Sequence, residues 1–270
     1  MVLRLDGLGG HPGPLRATSV GAVIERVEED GIAVLRLAHG PVNALDVELC
    51  EAIAGDLRDL AEGPARAVVL TGSGRAFSAG VDLHRVLAGE DRYSARLMSA
   101  LTDLFRTAFT VPKPLVAAVN GHAIAGGCVL AACSDVVLMS AGRIGVPEIK
   151  VGVPFPRAAV EVVRYAVGEV GARRLVMGAE TMSAEDGVAV GLVDRVVPGA
   201  DLAVAARTTA AELADSIPAD TFAHTKAQLR RATVARMDAF IDEDAAAAEL
   251  WERRATDGWT ERYLRSVTGR

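Results

Sequence analysis

The stretch 115-LVAAVNGHAIAGGCVLAACSD-135 decides the fold, because within a short length it changes from an apolar run to a polar turn and then to a small, apolar segment. Residues 115–119 form an apolar run typical of a buried strand, and a polar turn follows at Asn120. After the turn, Ala125-Gly126-Gly127 leads into a small, apolar segment without charge before Asp135, which predicts a helix beginning near Gly126. The first N–H groups of such a helix have no partner, and glycines leave them open to approach. The glycines therefore serve either close packing or contact with a ligand oxygen.

A second loop, 76-AFSAGVDL-83, has the same character, since it places small residues and a glycine after the apolar run 67-AVVLTG-72. Two such loops could each offer one N–H group to a single oxygen, which is the arrangement of an oxyanion hole. On the pattern alone, close packing remains the stronger explanation of the glycines.

Strand and helix patterns alternate on both sides of these loops. Strands are predicted at 20–28, 32–38, 67–72, 115–119 and 135–140, and helices at 47–62 and 91–109. From about residue 200 the chain becomes Ala-rich, and consecutive helices are predicted at 201–215, 219–236 and 238–254. We therefore predict an α/β fold. Its parts are a loose N-terminal extension (1–19), a core (20–198) and a C-terminal helical segment (199–270).

Composition excludes several classes of function. The chain has 270 residues, half of them hydrophobic, which is enough for one large core. A net charge of −6 without long Lys/Arg runs argues against a nucleic-acid partner. No apolar run approaches the length of a membrane span, and the opening residues do not resemble a targeting sequence. The three cysteines favour free thiols and a cytoplasmic location.

Familiar catalytic and binding motifs are also missing. A dinucleotide-binding G-x-G-x-x-G would need glycine where Phe77 stands, and a G-x-S-x-G turn would need it at Thr71. No phosphate-binding Gly-Lys-Ser/Thr loop occurs. The five histidines show no metal-ligand spacing, so no metal site is expected. Cys128 with His122 could form a nucleophile–base pair, but a small buried cysteine is the better interpretation.

Four segments together resemble the crotonase superfamily of enoyl-CoA hydratases and isomerases. They are 41-PVNAL-45, 76-AFSAGVDL-83, 115-LVAAVNGHAIAGGCVLAACSD-135 and 147-PEIKVGVP-154, in the family's order and spacing. The segment 183-SAEDGVAVGLVDRVV-197 is similar to the one that closes the family's core. The resemblance implies a spiral of repeated β-β-α turns, a C-terminal helical segment, and binding of an acyl-CoA thioester. It implies no cofactor, because coenzyme A is part of the substrate.

Site residues follow from the resemblance, position by position. The two oxyanion N–H groups fall on Val81 and Gly126, which would hold the thioester oxygen as it becomes an enolate. The substrate-binding positions implied are Ala44, Ala79, Val81, Asp82, Leu83, His84, Gly126 and Val129. Many relatives have lysine at the position of His84, so His84 is a weaker contact for the CoA head.

The family's hydratases hold one water between two glutamates, and this sequence retains only one of them. The first position is occupied by Val129, and the second by Glu148. Valine neither orients water nor moves a proton, so two-glutamate hydration loses half of its apparatus. One carboxylate facing an oxyanion hole suits a Δ3,Δ2-enoyl-CoA isomerase instead. In that reaction Glu148 removes the C2 proton and returns it at C4.

Two alternatives stay open at this point. The chain could be an enoyl-CoA hydratase that uses Glu148 alone, which a second carboxylate beside Val129 would favour. It could also be an acyl-CoA-binding protein without turnover, which a pocket filled by Phe155 or Arg157 would favour. The ending 250-LWERRATDGWTERYLRS-266 is more similar to that of the isomerases. The resemblance further implies a homotrimer or a dimer of trimers, in which we expect the C-terminal helical segment, 199–270, to pack against other subunits.

Overall fold

A computed structural model describes residues 23–89, 92–240 and 242–268 of the chain, without the side chain of Thr268. The predicted N-terminal extension, 1–19, lies outside the described residues. The fold is α/β, as predicted.

Strands and helices alternate up to residue 196, and helices follow. The strands are β1 (Ile24–Glu29), β2 (Ile32–Leu37), β3 (Ala67–Gly72), β4 (Ala76–Ser78), β5 (Leu115–Val119), β6 (His122–Ile124), β7 (Val136–Met139), β8 (Ile144–Gly145), β9 (Thr181–Met182) and β10 (Arg195–Val196). The helices are α1 (Val47–Glu62), α2 (Leu83–Leu87), α3 (Tyr93–Thr110), α4 (Gly126–Ala132), α5 (Glu148–Val151), α6 (Arg157–Gly178), α7 (Ala184–Val190), α8 (Leu202–Ser216), α9 (Ala219–Ala239), α10 (Glu243–Thr256) and α11 (Trp259–Thr268).

Two sheets arise from a repeated β-β-α unit. In each repeat the first strand (β3, β5 or β7) joins a sheet of order β1-β2-β3-β5-β7-β10. The second strand (β4, β6 or β8) joins a smaller sheet of order β4-β6-β8-β9. The strands β2, β3, β5, β7 and β10 run parallel, while β1 pairs antiparallel with β2. The two glycine loops follow the second strands β4 and β6, and the parallel pairing of these strands brings the loops together.

Most predicted elements are found close to their predicted bounds. The predictions for α1, β3 and β5 agree in every residue, because long apolar runs and a clear helical stripe mark them. The helix predicted at 91–109 is found as α3. The sequence analysis missed α6, the separate helix α11 and the short elements, among them every strand of the smaller sheet. In α6 the chain kinks at Gly168 (φ 69°), and the glycines within it weaken its helical pattern.

The C-terminal helices pack against the core of the same chain. Helix α8 covers one face of the larger sheet, where Leu202, Ala206 and Ala210 meet Val69 and Val116 in a second apolar cluster. Helix α9 lies against α3 and α6, and α10 lies against α3. No helix within the described residues is long and apolar enough to cross a membrane.

A buried charged network fixes α9 to the core. Arg230 is 4% exposed and donates hydrogen bonds to the carbonyl oxygens of Phe109, Cys133 and Ser134. It also pairs with Asp135 (2.9 Å), which accepts a second ion pair from Lys226 (2.6 Å). Three carbonyl oxygens therefore depend on a single guanidinium, and the carboxylate of Asp135 is shared between Arg230 and Lys226.

Replacing Arg230 with alanine should lower the free energy of unfolding by about 3–5 kcal/mol, since it leaves three carbonyls without their buried donor and removes one of the two cations paired with Asp135. Urea unfolding measures the change. The control is Arg231→Ala, on the exposed face of the same helix, which should change stability by less than about 0.5 kcal/mol. Equal effects of the two substitutions would contradict the role given to the network.

Candidate active site

Val81 is held in place by a single parallel bridge to Leu45. Leu45 N donates to Gly80 O (2.7 Å), and Asp82 N donates to Leu45 O (3.0 Å). When the two flanking residues make the bonds of a parallel bridge, the N–H of the central residue points to the opposite side. The N–H of Val81 therefore points away from Leu45. It forms no hydrogen bond within the described ranges.

Asn43 fixes the turn that carries Leu45. This residue is fully buried and has a left-handed backbone (φ 50°), which asparagine tolerates better than most residues. Its side-chain amide donates to the carbonyl oxygens of Ala76 (2.9 Å) and Phe77 (3.2 Å). In return, the Ser78 hydroxyl donates to Asn43 O (2.8 Å). The motif 41-PVNAL-45 thus clamps the loop that precedes Val81.

The two glycine loops touch each other through their backbones. A Cβ atom at Gly127 would overlap the carbonyl group of Ser78, so this glycine permits close packing. Gly80 has φ 83°, and a Cβ atom there would lie 2.7 Å from Ala125 Cβ and 3.3 Å from Gly126 N. The backbone of Gly80 is therefore adjacent to the N–H of Gly126.

The N–H of Gly126 is the first of helix α4. The first bond at this end of α4 runs from Val129 N to Ala125 O (3.1 Å), so the earlier donors have no partner inside the helix. Across the described residues, no acceptor is found for Gly126 N. A Cβ atom at Gly126 would lie 2.8 Å from Leu45 Cδ1, so packing also restricts this position.

Val81 and Gly126 line one cavity, and Glu148 lines it with them. Of the other predicted substrate positions, Ala79, Leu83 and Val129 line the same cavity, whereas Ala44, Asp82 and His84 do not. The Asp82 carboxylate instead caps α2 by accepting from His84 N and Arg85 N. The assignment of Ala44, Asp82 and His84 to coenzyme A remains a prediction.

Sequence reasoning missed much of the cavity wall. Leu101 and Phe105 of α3, Trp251 of α10 and Tyr263 of α11 complete it. The Trp251 Nε1–H donates to Pro154 O (2.9 Å), which fixes the indole ring. The wall is therefore predominantly apolar, and it suits an acyl chain.

Glu148 is the carboxylate of this cavity. It stands at the start of α5, is 7% exposed, and its Oε2 has no hydrogen-bond partner within the described residues. Burial raises the pKa of Glu148 from its ordinary 4.5 to about 8, because the ionised form loses its hydration. A carboxylate desolvated in this way is a stronger base than one in water.

The cavity wall contains no second carboxylate among the residues that the structure describes. Val129 is fully buried and apolar. Phe155 and Arg157 do not line the cavity, and Arg157 pairs with Asp244 (3.1 Å). The cavity beside Val129 therefore holds neither the second glutamate of a hydratase nor a side chain that closes it.

His122 and Cys128 show no sign of acting as a nucleophile–base pair. His122 is exposed on β6, and its Nδ1 accepts from Arg143 N (3.3 Å). Cys128 is fully buried, and burial raises the pKa of its thiol. In the described ranges, no group of three or more His, Cys, Asp or Glu side chains is arranged to hold a metal ion.

Comparisons with known proteins point to one family. A sequence model of the family described as enoyl-CoA hydratase/isomerase matches residues 27–253. A Thermus thermophilus protein with a provisional enoyl-CoA hydratase name is 38% identical over 86% of this chain and 93% of its own length. The crystal structure of human mitochondrial delta3-delta2-enoyl-CoA isomerase has a TM-score of 0.83 and 26% identity, over 92% of this chain and 99% of that one.

A crystal structure from Mycobacterium tuberculosis, described as a probable enoyl-CoA hydratase, has a TM-score of 0.80 and 28% identity. It matches 86% of this chain and 98% of its own. The similar proteins are therefore named after both reactions, hydration and isomerisation. The residues of the cavity have to distinguish between these two reactions for this chain.

The raised pKa of Glu148 predicts a pH-dependent stability. Between about pH 4.5 and 8 the folded protein keeps a proton that the unfolded chain releases, so this contribution to stability is lost as pH rises through about 8. Glu148→Gln removes that titration. In thermal unfolding, the melting temperature of the variant relative to wild type should rise between about pH 5 and pH 9. The exposed control Glu185→Gln should follow wild type. Parallel curves for all three proteins would refute the burial argument.

Proposed function

The chain belongs to the enoyl-CoA hydratase/isomerase family, and we propose that it converts 3-enoyl-CoA thioesters into 2-enoyl-CoA thioesters. The observation that carries the proposal is a single buried carboxylate, Glu148, in the cavity that Val81 and Gly126 also line. Isomerisation needs one group that removes and returns a proton, and donors for the charge that develops in between.

The steps balance with these groups alone. The thioester oxygen accepts hydrogen bonds from the N–H groups of Val81 and Gly126. Ionised Glu148 removes the C2 proton, and the C–H electron pair forms the dienolate, whose negative charge lies on that oxygen. As the thioester carbonyl re-forms, a double bond forms between C2 and C3. The electron pair of the former C3–C4 double bond takes the proton back from Glu148 at C4.

Hydration is the alternative reaction, and the names of several relatives favour it. It requires a water that is held and activated beside the double bond. Val129 offers no polar atom for that water, and the described cavity wall supplies no second carboxylate. Binding without turnover receives less support, since neither Phe155 nor Arg157 occupies the cavity. The cavity therefore favours isomerisation.

Wild-type enzyme should turn over 3-butenoyl-CoA to crotonyl-CoA much faster than it hydrates crotonyl-CoA. Glu148→Gln should lower isomerisation by about 10²–10⁴-fold, because an amide cannot accept the C2 proton. Acyl-CoA binding should survive, since glutamine keeps the shape of the site. Liquid chromatography with mass detection separates both isomers and the hydrated product, and Glu185→Gln serves as the control. Efficient hydration by wild type would overturn the proposal.

The oxyanion role of Gly126 is tested by removing its donor. Gly126→Pro deletes the N–H, and proline is tolerated at the first position of a helix. Turnover should fall by about 10²–10³-fold. Gly126→Ala keeps the N–H but adds the Cβ atom that meets Leu45, so it measures the steric effect alone. The assignment fails if the proline variant is no slower than the alanine variant in a steady-state assay.

The same proposal includes a homotrimer or a dimer of trimers in the cytoplasm. Large apolar side chains are exposed on the C-terminal helices and at their ends, among them Val204, Leu229, Phe240 and Trp259. Contacts between subunits would remove such surfaces from water. The three free thiols, all buried, suit a reducing compartment. Light scattering distinguishes the trimer and the hexamer from a monomer.

A further inference from the structure

Helix α11 is docked directly on α5, the short helix that begins with Glu148. The Trp259 Nε1–H donates to Lys150 O (3.2 Å), and the Thr260 hydroxyl donates to Val151 O (3.4 Å). These bonds satisfy carbonyl groups at the end of α5 that have no partner inside it. A Cβ atom at Gly152 would clash with the Trp259 indole, so the chain after α5 leaves room for this contact.

Tyr263 lies one helical turn beyond Trp259 and Thr260, and therefore near the same face of α11. Its side chain is partly buried and lines the cavity that contains Glu148. The docking of α11 on α5 thus brings a phenol group from the C-terminal end of the chain to the wall around the carboxylate.

Besides Glu148, two of the described residues that line this cavity have a side-chain N–H or O–H group. They are Trp251 and Tyr263. The Trp251 donor is already used by Pro154 O. No hydrogen bond of the Tyr263 hydroxyl is found within the described ranges. On the other side, Glu148 Oε2 is buried and lacks a partner. One unused donor and one unused acceptor therefore share one apolar cavity.

We propose that Tyr263 is a positioning residue for Glu148, whose ionised carboxylate accepts a hydrogen bond from the Tyr263 hydroxyl through Oε2. This inference rests on the proposed function, because it assigns the bond to the charged state that removes the C2 proton. The bond orients the carboxylate and favours its ionised form without taking part in the proton transfer itself.

Electrostatics agree with this geometry. Burial and the charge of Glu148 raise the pKa of Tyr263, so its hydroxyl stays protonated while Glu148 ionises. Cys128 of α4 is the other group whose pKa is raised by Glu148, and burial keeps it a neutral thiol. No charged side chain of α6 or α11 shifts the pKa of Glu148, which responds to burial and to its own backbone N–H. Tyr263 is therefore a protonated O–H donor within electrostatic reach of the Glu148 carboxylate.

Tyr263→Phe removes the hydroxyl and keeps the ring. The rise of kcat/KM with pH, which reports Glu148 in the free enzyme, should move upward by about one pH unit. Below that pH the variant should be about tenfold slower in kcat/KM, with KM for the 3-enoyl-CoA little changed. Tyr165→Phe is the matched control, since Tyr165 lies outside the cavity and packs edge-on against Phe109. If the pH profile of kcat/KM for Tyr263→Phe coincides with that of wild type, Tyr263 is only a part of the cavity wall, and the inference is overturned.

A measurement without turnover separates this inference from the proposed function. In Tyr263→Phe the pH-dependent loss of thermal stability should extend to higher pH than in wild type, because the pKa of Glu148 rises further. In a Glu148→Gln background, Tyr263→Phe should change the melting temperature equally at every pH. A pH-dependent effect that persists in that background overturns the inference even if wild type is an active isomerase. A wild type without isomerase activity, with both stability results as expected, overturns the proposed function alone.

Discussion

The backbone of Ser78 approaches Gly127 so closely that no side chain fits between them, and the geometry of the cavity depends on this contact. It brings the loop that ends at Val81 against the turn that opens α4. Asn43 and Leu45 hold the first loop from the other side through buried hydrogen bonds. Two N–H groups from separate repeats of the spiral are thereby fixed before any ligand arrives. Donors that are fixed in advance cost no reorganisation when charge develops on a bound oxygen.

That contact is accompanied by local strain. Ala125 has φ 54° and ψ −125°, a conformation that a residue with a Cβ atom adopts only at a cost of about 1–3 kcal/mol. The cost is tolerated because both backbone groups of Ala125 are held by hydrogen bonds: Ala125 N donates to Gly145 O (2.8 Å), and Ala125 O accepts from Val129 N (3.1 Å). This strained conformation turns the chain sharply, so that α4 begins at Gly126, in the wall of the cavity.

The sequence predicted five strands of the larger sheet and singled out the two glycine loops, because apolar runs and glycines are local signals. The strands of the smaller sheet are two or three residues long, too short to show such a pattern. The question raised by Gly126-Gly127 has a divided answer: Gly127 serves packing, while Gly126 leaves a donor free and also makes room for Leu45. Tyr263 and Trp251 were missed for a different reason. They lie about a hundred residues after Glu148, and nothing in a helical pattern says which surface a distant helix will cover. The resemblance to a family extended to the ending 250–266, but it assigned neither residue to the cavity.

The C-terminal helices consequently act on the site twice, through residues remote from its motifs. The buried guanidinium of Arg230, in α9, donates hydrogen bonds to Cys133 O and Ser134 O, next to the C-terminal end of α4. A cation at that end stabilises the helix whose opposite end presents Gly126 N–H. Helix α11 in turn donates hydrogen bonds to carbonyl groups at the end of α5, and it places Tyr263 in the wall of the cavity that contains Glu148. The spiral core supplies the two N–H groups and the buried carboxylate of the cavity. The helices that follow the core fix α4 and α5, the two short helices on which Gly126 and Glu148 lie.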